Sequence, residues 1–314
     1  MAKRRREKKK VKEKKAAPKK RFKLRWLRLL SQLTFLTLFL LALIGKAPLQ
    51  PWLTLPVSTP YSAFSTLQVM LSTPTPPLLP AASIILFTIL LGRSLCGWVC
   101  PSGFIQDVLS KVKRKHTTIM SETHSWLKNI KYVVLGVTLT VSCSIALSSA
   151  YGAGEAYKRA LGVFSTAPYT TLSPEATIFI LIPESIKQLQ QWMAASPPIT
   201  PEQLWVILTQ IPSLFYVRLL VAAVFITTSI YVPRFWCLYV CPLGALAAIL
   251  NRFSLLGMKR DVTKCTRIRA CVEKCQMRVR ILDLPWEKFN DPECTLCLDC
   301  VDACPNKVLK QKFP

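Results

Sequence analysis

Forty-six consecutive residues, 47–92, pass without one charged side chain, and the run ends in LLPAASIILFTILLG. No soluble core needs such a stretch, whereas a bilayer asks for about 20 apolar residues per crossing helix. Three more apolar runs follow the same rule, so we read four spans: about 26–45, 77–95, 130–149 and 213–232. The whole chain carries a net charge of +26, from 42 Lys and Arg against 16 Asp and Glu, and most of it falls outside these spans. Such charge beside a mean hydropathy of +0.32 means the two are segregated along the sequence. An ordinary soluble domain and a wholly disordered chain are both excluded. A secreted disulfide scaffold fits poorly, because the 12 Cys fall into metal-ligand spacings.

Residues 1–28 hold 16 Lys or Arg against Glu7 and Glu13, a local charge of +14. Residues 1–25 therefore read as a basic disordered tail on the cytoplasmic side, lying against membrane lipid at about 1 kcal/mol per basic residue. A nucleic-acid partner ranks last, since nothing structured accompanies the basic run. No small-residue cleavage site follows the first apolar stretch, so that stretch reads as a retained anchor. Basic residues return after the second span (Arg93, Lys111, Lys113, Arg114, Lys115) and after the fourth (Arg234, Arg252, Lys259, Arg260). The positive-inside rule then places both termini in the cytoplasm, with the segment 150–204 as a polar outer loop and a short interfacial helix at 62–71.

The two cytoplasmic turns repeat at an offset of 141 residues: GRSLCGWVCPSG (92–103) against PRFWCLYVCPLG (233–244). Arg93/Arg234, Cys96/Cys237, Cys100/Cys241, Pro101/Pro242 and Gly103/Gly244 all match. Each copy follows an outside-to-inside span, so the membrane domain, 26–257, reads as two parallel repeats ending in C-x3-C-P-x-G. A spacing of four puts both sulfurs of a pair on one helix face. Such a pair suits a soft metal, a redox-active dithiol or hydrogen bonding to a cofactor. Cys96, Cys100, Cys237 and Cys241 are thus candidate redox or metal thiols.

Residues 258–314 hold seven Cys. Cys294, Cys297, Cys300 and Cys304, followed by Pro305, read C-x2-C-x2-C-x3-C-P, the bacterial ferredoxin run whose fourth thiolate serves the neighbouring cluster. Zinc knuckles pair two C-x2-C units instead. Cys265, Cys271 and Cys275 fit the same template with Ile268 in the second ligand position and Gln276 in place of the Pro. Exchange of fourth ligands gives Cys275, Cys294, Cys297 and Cys300 for a 4Fe–4S cluster, and Cys265, Cys271 and Cys304 for a three-thiolate site. That second site has three open outcomes: a 3Fe–4S cluster, a 4Fe–4S cluster with an outside ligand, or no cluster. We expect 3Fe–4S, with Ile268 packed where the fourth ligand would stand. The fold expected is a membrane all-α domain of about four helices plus a small C-terminal two-cluster ferredoxin-like α+β domain.

Two C-x3-C-P motifs on membrane spans followed by this Cys pattern resemble the NapH/NosR/CcoG membrane polyferredoxins, over roughly residues 85–310. The resemblance implies a bacterial-type cytoplasmic (inner) membrane protein whose clusters face the cytoplasm. It implies quinol or quinone handled by the membrane part, and electrons passed through Fe–S clusters to a redox partner or a terminal reductase complex. It also implies an alternative, copper binding or reduction in metalloenzyme assembly. The chain departs from the pattern at Ile268. Its two His, His116 and His124, lie in the middle basic loop, so bis-His haem in the bilayer is excluded. No G-x-G-x-x-G or P-loop is readable, and no hydrolytic constellation is visible. An electron-transfer subunit is therefore expected rather than a stand-alone enzyme.

Overall fold

The computed structural model describes residues 24–43, 68, 78–113, 117, 119–165, 167–195 and 213–313. The basic tail up to residue 23 and, apart from Gln68, the expected helix at 62–71 lie outside these residues. Among the described residues, three helices are long and apolar enough to cross a membrane: α1 (Leu24–Leu43), α5 (Ser121–Ala150) and α10 (Ser213–Tyr231). The second expected span ends earlier than the sequence suggested. It runs as α2 (Leu78–Leu91), 14 residues, and stops at Gly92 with φ of +62°. Only glycine serves there at no cost, because a Cβ would sit 2.5 Å from Asn251 Oδ1.

After that stop the two repeats fold alike. The first forms α3 (Ser94–Trp98) and α4 (Pro101–Leu109). The second forms α11 (Phe235–Tyr239) and α12 (Pro242–Asn251). The C-x3-C pair does not share one continuous helix face, as the spacing alone had suggested. Cys96 and Cys237 sit in the short helices, while Cys100 and Cys241 are extended N-caps with ψ of 120° and 117°. The cause is local: the ring of a proline disfavours the α region in the residue before it. Pro101 and Pro242 then start the next helix, where the missing N–H costs nothing. Each half-helix packs against spans from both halves of the chain, α4 on α1 and α10, α12 on α5 and α2.

The segment expected as a polar outer loop is largely helical. It contains α6 (Gly154–Leu161), α7 (Pro168–Leu172), α8 (Pro174–Ala176), a π-helical turn Thr177–Leu181 and α9 (Ile182–Ala195). Its middle folds back against the spans, with Phe39 and Phe179 edge to face at 5.3 Å between ring centroids. The C-terminal region pairs β1 (Gly257–Arg260) antiparallel to β2 (Leu309–Lys312), register Met258↔Gln311. Between them lie α13 (Ala270–Glu273) and α14 (Asp299–Ala303). Its small core of Met258, Met277, Val279, Ile281, Phe289 and Leu309 is continuous with Leu238 and Tyr239 of α11. The Cys-rich region is thus built onto the membrane domain rather than tethered to it.

Candidate metal centre

Each residue of the repeated motif has a structural task. Arg93 is 1% exposed and Arg234 fully buried, and each crosses to the other half. Arg93 Nη2 donates to the Cys237 carbonyl at 2.7 Å, and Arg234 Nη1 donates to the Cys96 carbonyl at 3.2 Å. The motif glycine lets the half-helix backbone come close to that same carbonyl. A Cβ on Gly103 would stand 2.7 Å from Cys96 O, and one on Gly244 would stand 2.9 Å from Cys237 O.

Each crossing arginine needs a buried anion. Arg234 forks onto Asp107 at 2.8 and 2.7 Å, and Asp107 also accepts from Gln32 and Arg28 at 3.1 and 3.3 Å. Arg93 donates to Glu293 at 2.7 Å, and Lys131 donates to the other oxygen of that carboxylate. Burial works against both carboxylates, but the cations beside them hold both below the ordinary carboxylate range. Sequence reasoning missed Asp107 and Glu293. A signal existed for the first: Asp107 is the only acid between residues 93 and 115, where five basic residues stand.

The four motif thiols line one cavity of about 40 Å³. Phe39, Ser102, Tyr169, Glu175 and Phe179 share its wall, which brings the supposed outer loop to the site. Gln106 Nε2 donates to Cys237 Sγ at 3.1 Å, and the Gly244 N–H donates to Cys241 Sγ at 3.3 Å. Two half-helix N-termini also face these sulfurs, but burial outweighs both features and pushes the Cys100, Cys237 and Cys241 thiols above their ordinary range. Glu175 Oε2 is buried and lacks a hydrogen-bond partner among the described residues.

The C-terminal Cys fall into two further groups. Cys275, Cys294, Cys297 and Cys300 line one cavity with Met277, Val279 and Phe289. Cys265, Cys271 and Cys304 line another with Ile268. Each group takes one cysteine from the other run. Among the described residues no three His, Cys, Asp or Glu side chains converge tightly enough for a single metal ion. A single ion holds sulfur at about 2.3 Å, whereas a cubane spreads its thiolates over separate iron corners. Burial pushes the Cys275 and Cys294 thiols up to about 12, so a cationic core is what would hold them as thiolates. The first group therefore fits a cluster. At the second, Ile268 lines the cavity but is 60% exposed, so it covers that corner only in part.

The first group's loop lies directly on the turn that carries Cys96. Trp98 Nε1 donates to Leu296 O at 3.0 Å, and Arg28 reaches Cys297 O at 3.4 Å and Asp299 at 2.9 Å. A Cβ on Gly97 would stand 2.6 Å from Thr295 O.

A family described as "4Fe-4S binding domain" matches residues 73–118 and 214–262, the two halves of the repeat with their C-x3-C-P pairs. The chain is 24% identical over 237 residues to the uncharacterized protein MJ0750 of Methanocaldococcus jannaschii, covering 73% of this chain and 76% of that one. It is 25% identical over 266 residues to the ferredoxin-type protein NapH of Haemophilus influenzae, covering 82% and 75%. It is 28% identical over 245 residues to the regulatory protein NosR of Stutzerimonas stutzeri, covering 74% of this chain but only 26% of NosR. No solved structure matches. With relatives of this kind along most of its length and a 4Fe–4S match on both motif-bearing halves, the chain is similar to the NapH- and NosR-type polyferredoxins, which supports a membrane iron–sulfur electron-transfer protein.

Proposed function

We propose that the protein passes electrons between the quinone pool and a redox partner, through the four-thiol cavity and two Fe–S clusters. Cys275, Cys294, Cys297 and Cys300 would hold a 4Fe–4S cluster; Cys265, Cys271 and Cys304 would hold the second. The clusters supply one-electron chemistry at potentials set by charge and hydrogen bonding. The observation that carries the reading is the seating of loop 294–300 on the Cys96 turn, through Trp98, Arg28 and Gly97. One end of α1 also meets the Cys-rich domain, since Arg28 pairs with Asp299. That contact and the basic tail support clusters and both termini on the cytoplasmic side.

The alternative of copper binding or reduction gains from the meeting of all four motif thiols at one cavity. It loses because the described donors do not close on one ion. Electron transfer is therefore the reading we adopt, with the aromatic wall of Phe39, Tyr169 and Phe179 as the place where a quinol ring would approach.

Protein in liposomes, loaded anaerobically with iron and sulfide, should show its Fe–S absorbance bleached by a water-soluble quinol analogue. Single Cys→Ser changes at 96, 100, 237 and 241 should stop bleaching by quinol and leave bleaching by dithionite intact. Wild-type clusters that dithionite reduces and no quinol touches would refute the quinone link. A tight one-to-one copper site at the same thiols would favour the alternative.

A further inference from the structure

The two Cys loops of the C-terminal region share a backbone. Cys265-Thr-Arg-Ile-Arg-Ala-Cys271 aligns with Cys294-Thr-Leu-Cys-Leu-Asp-Cys300, placing Ile268 on Cys297. Arg267 and Leu296 have φ of 50° and 49°, and Arg269 and Leu298 both have 62°. Each loop runs into a short helix, α13 or α14. Three residues beyond the Cys that ends each run, Arg278 and Lys307 are again left-handed, at 55° and 50°. A long side chain held in that region costs about 1–2 kcal/mol. A loop with nothing to wrap would relax, yet the loop around Ile268 keeps the conformation of the fully liganded one.

Its surroundings are the reverse. Leu296 and Leu298 are 4% and 8% exposed, covered by the membrane domain, whereas Arg267, Ile268 and Arg269 all face solvent. Neither arginine is in an ion pair among the described residues. The cavity shared by Cys265, Cys271 and Cys304 is also lined by Arg260, which is 8% exposed. Its Nη groups donate to Leu282 O and Leu284 O, but its buried Nε has no partner among the described residues. A buried cation with a free donor calls for an anion in that cavity. A cluster held by three thiolates is anionic. The site fits a cluster, and the corner at Ile268 has no thiolate and is open to solvent past an isoleucine that is largely exposed.

We propose that Cys265, Cys271 and Cys304 hold a 4Fe–4S cluster whose fourth iron, at the Ile268 corner, is open to solvent and takes a small anionic sulfur or oxygen donor drawn in by Arg267 and Arg269. This rests on the two-cluster reading and goes beyond it. It makes the outward cluster ligand-responsive, since bound charge at an iron sets its potential.

The test uses the full-length protein reconstituted anaerobically with ⁵⁷Fe and read by Mössbauer and EPR spectroscopy. The expected result is about eight irons per chain, four for each cluster, with one iron spectroscopically distinct. Adding 3-mercaptopropionate should shift that one iron alone, saturably. Ile268→Cys should abolish the response while iron content stays the same. Arg267→Ala combined with Arg269→Ala should raise the half-saturating concentration roughly tenfold without loss of iron. Four results would overturn the inference while leaving the Cys294 cluster in place: no response with full iron; a response that survives Ile268→Cys; an oxidised 3Fe–4S EPR signal that persists when ferrous iron and reductant are supplied; or an empty second site. A chain that binds no iron at all would take down the two-cluster reading itself.

Discussion

Glu293 joins the two parts of the molecule, and Glu293→Gln isolates what that joint contributes. The carboxylate is 6% exposed, and its two partners, Arg93 and Lys131, are 1% and 0% exposed. Glutamine keeps the shape and one acceptor but removes the charge, leaving two cations in a buried site with no anion. Breaking a buried pair by removing one partner costs about 3–5 kcal/mol, most of it the penalty on the charge left behind. The exposed pair Lys264–Asp261, at 72% and 39% side-chain exposure, is the internal control. Exposed pairs contribute at most about 1 kcal/mol, so Asp261→Asn should be near neutral. Hydrogen exchange reads the difference, because amides in 293–301 become accessible only when the Cys-rich region lifts from the membrane domain. At 1.36 kcal/mol per tenfold, Glu293→Gln should speed their exchange at least about a hundredfold, with amides of α5 and α10 little changed. Equal exchange in the variant and the wild type would mean that Arg93 and Lys131 find solvent or other anions, and the docking argument would be wrong.

Gly97→Ala places a methyl 2.6 Å from a backbone oxygen that no rotamer change can move. It should loosen the same 293–301 amides while leaving cluster assembly intact, as followed by iron content; unchanged exchange would mean the two loops do not touch as described. Asp107 gives a pH test: burial opposes its charge, but Arg234 outweighs burial and holds the folded carboxyl below its ordinary 3.8. The stabilisation is then complete above that value and drains away as pH falls through the lower folded one. Exchange of the α4 amides, corrected for intrinsic rate, should stay flat down to about pH 5 and rise only in strong acid, with Asp107→Asn removing about one proton from that slope.

How much of this was legible depended on how far apart the interacting residues lie in the sequence. The cysteine runs work through spacings of three to six residues, so each run was visible in the sequence, while placing Cys275 beside the second run needed the exchanged-ligand template across 19 residues. The kink inside each C-x3-C pair was equally local: Pro101 and Pro242 forbid helix at the residue before them, and the helix-face reading gave that rule too little weight. The crossed arginines were visible only as matches in a repeat. What they do spans 144 and 138 residues, and nothing local tells Arg93 to find the Cys237 carbonyl rather than its own turn. The segment 150–204 was read by its polarity, yet Tyr169, Glu175 and Phe179 stand at the thiol cavity. Composition reports average exposure, while a single buried face sets position. Ile268 reverses the usual relation between sequence and site. The sequence located a missing ligand and supplied a plug for it, because an apolar side chain at a vacancy suggests burial. The loop keeps its strained left-handed residues, with the isoleucine at the edge of the cavity and largely exposed between two arginines. The wrapping conformation is present and only the fourth thiolate is missing, so the open corner we propose would follow from how this region faces solvent rather than from a loop with nothing to hold.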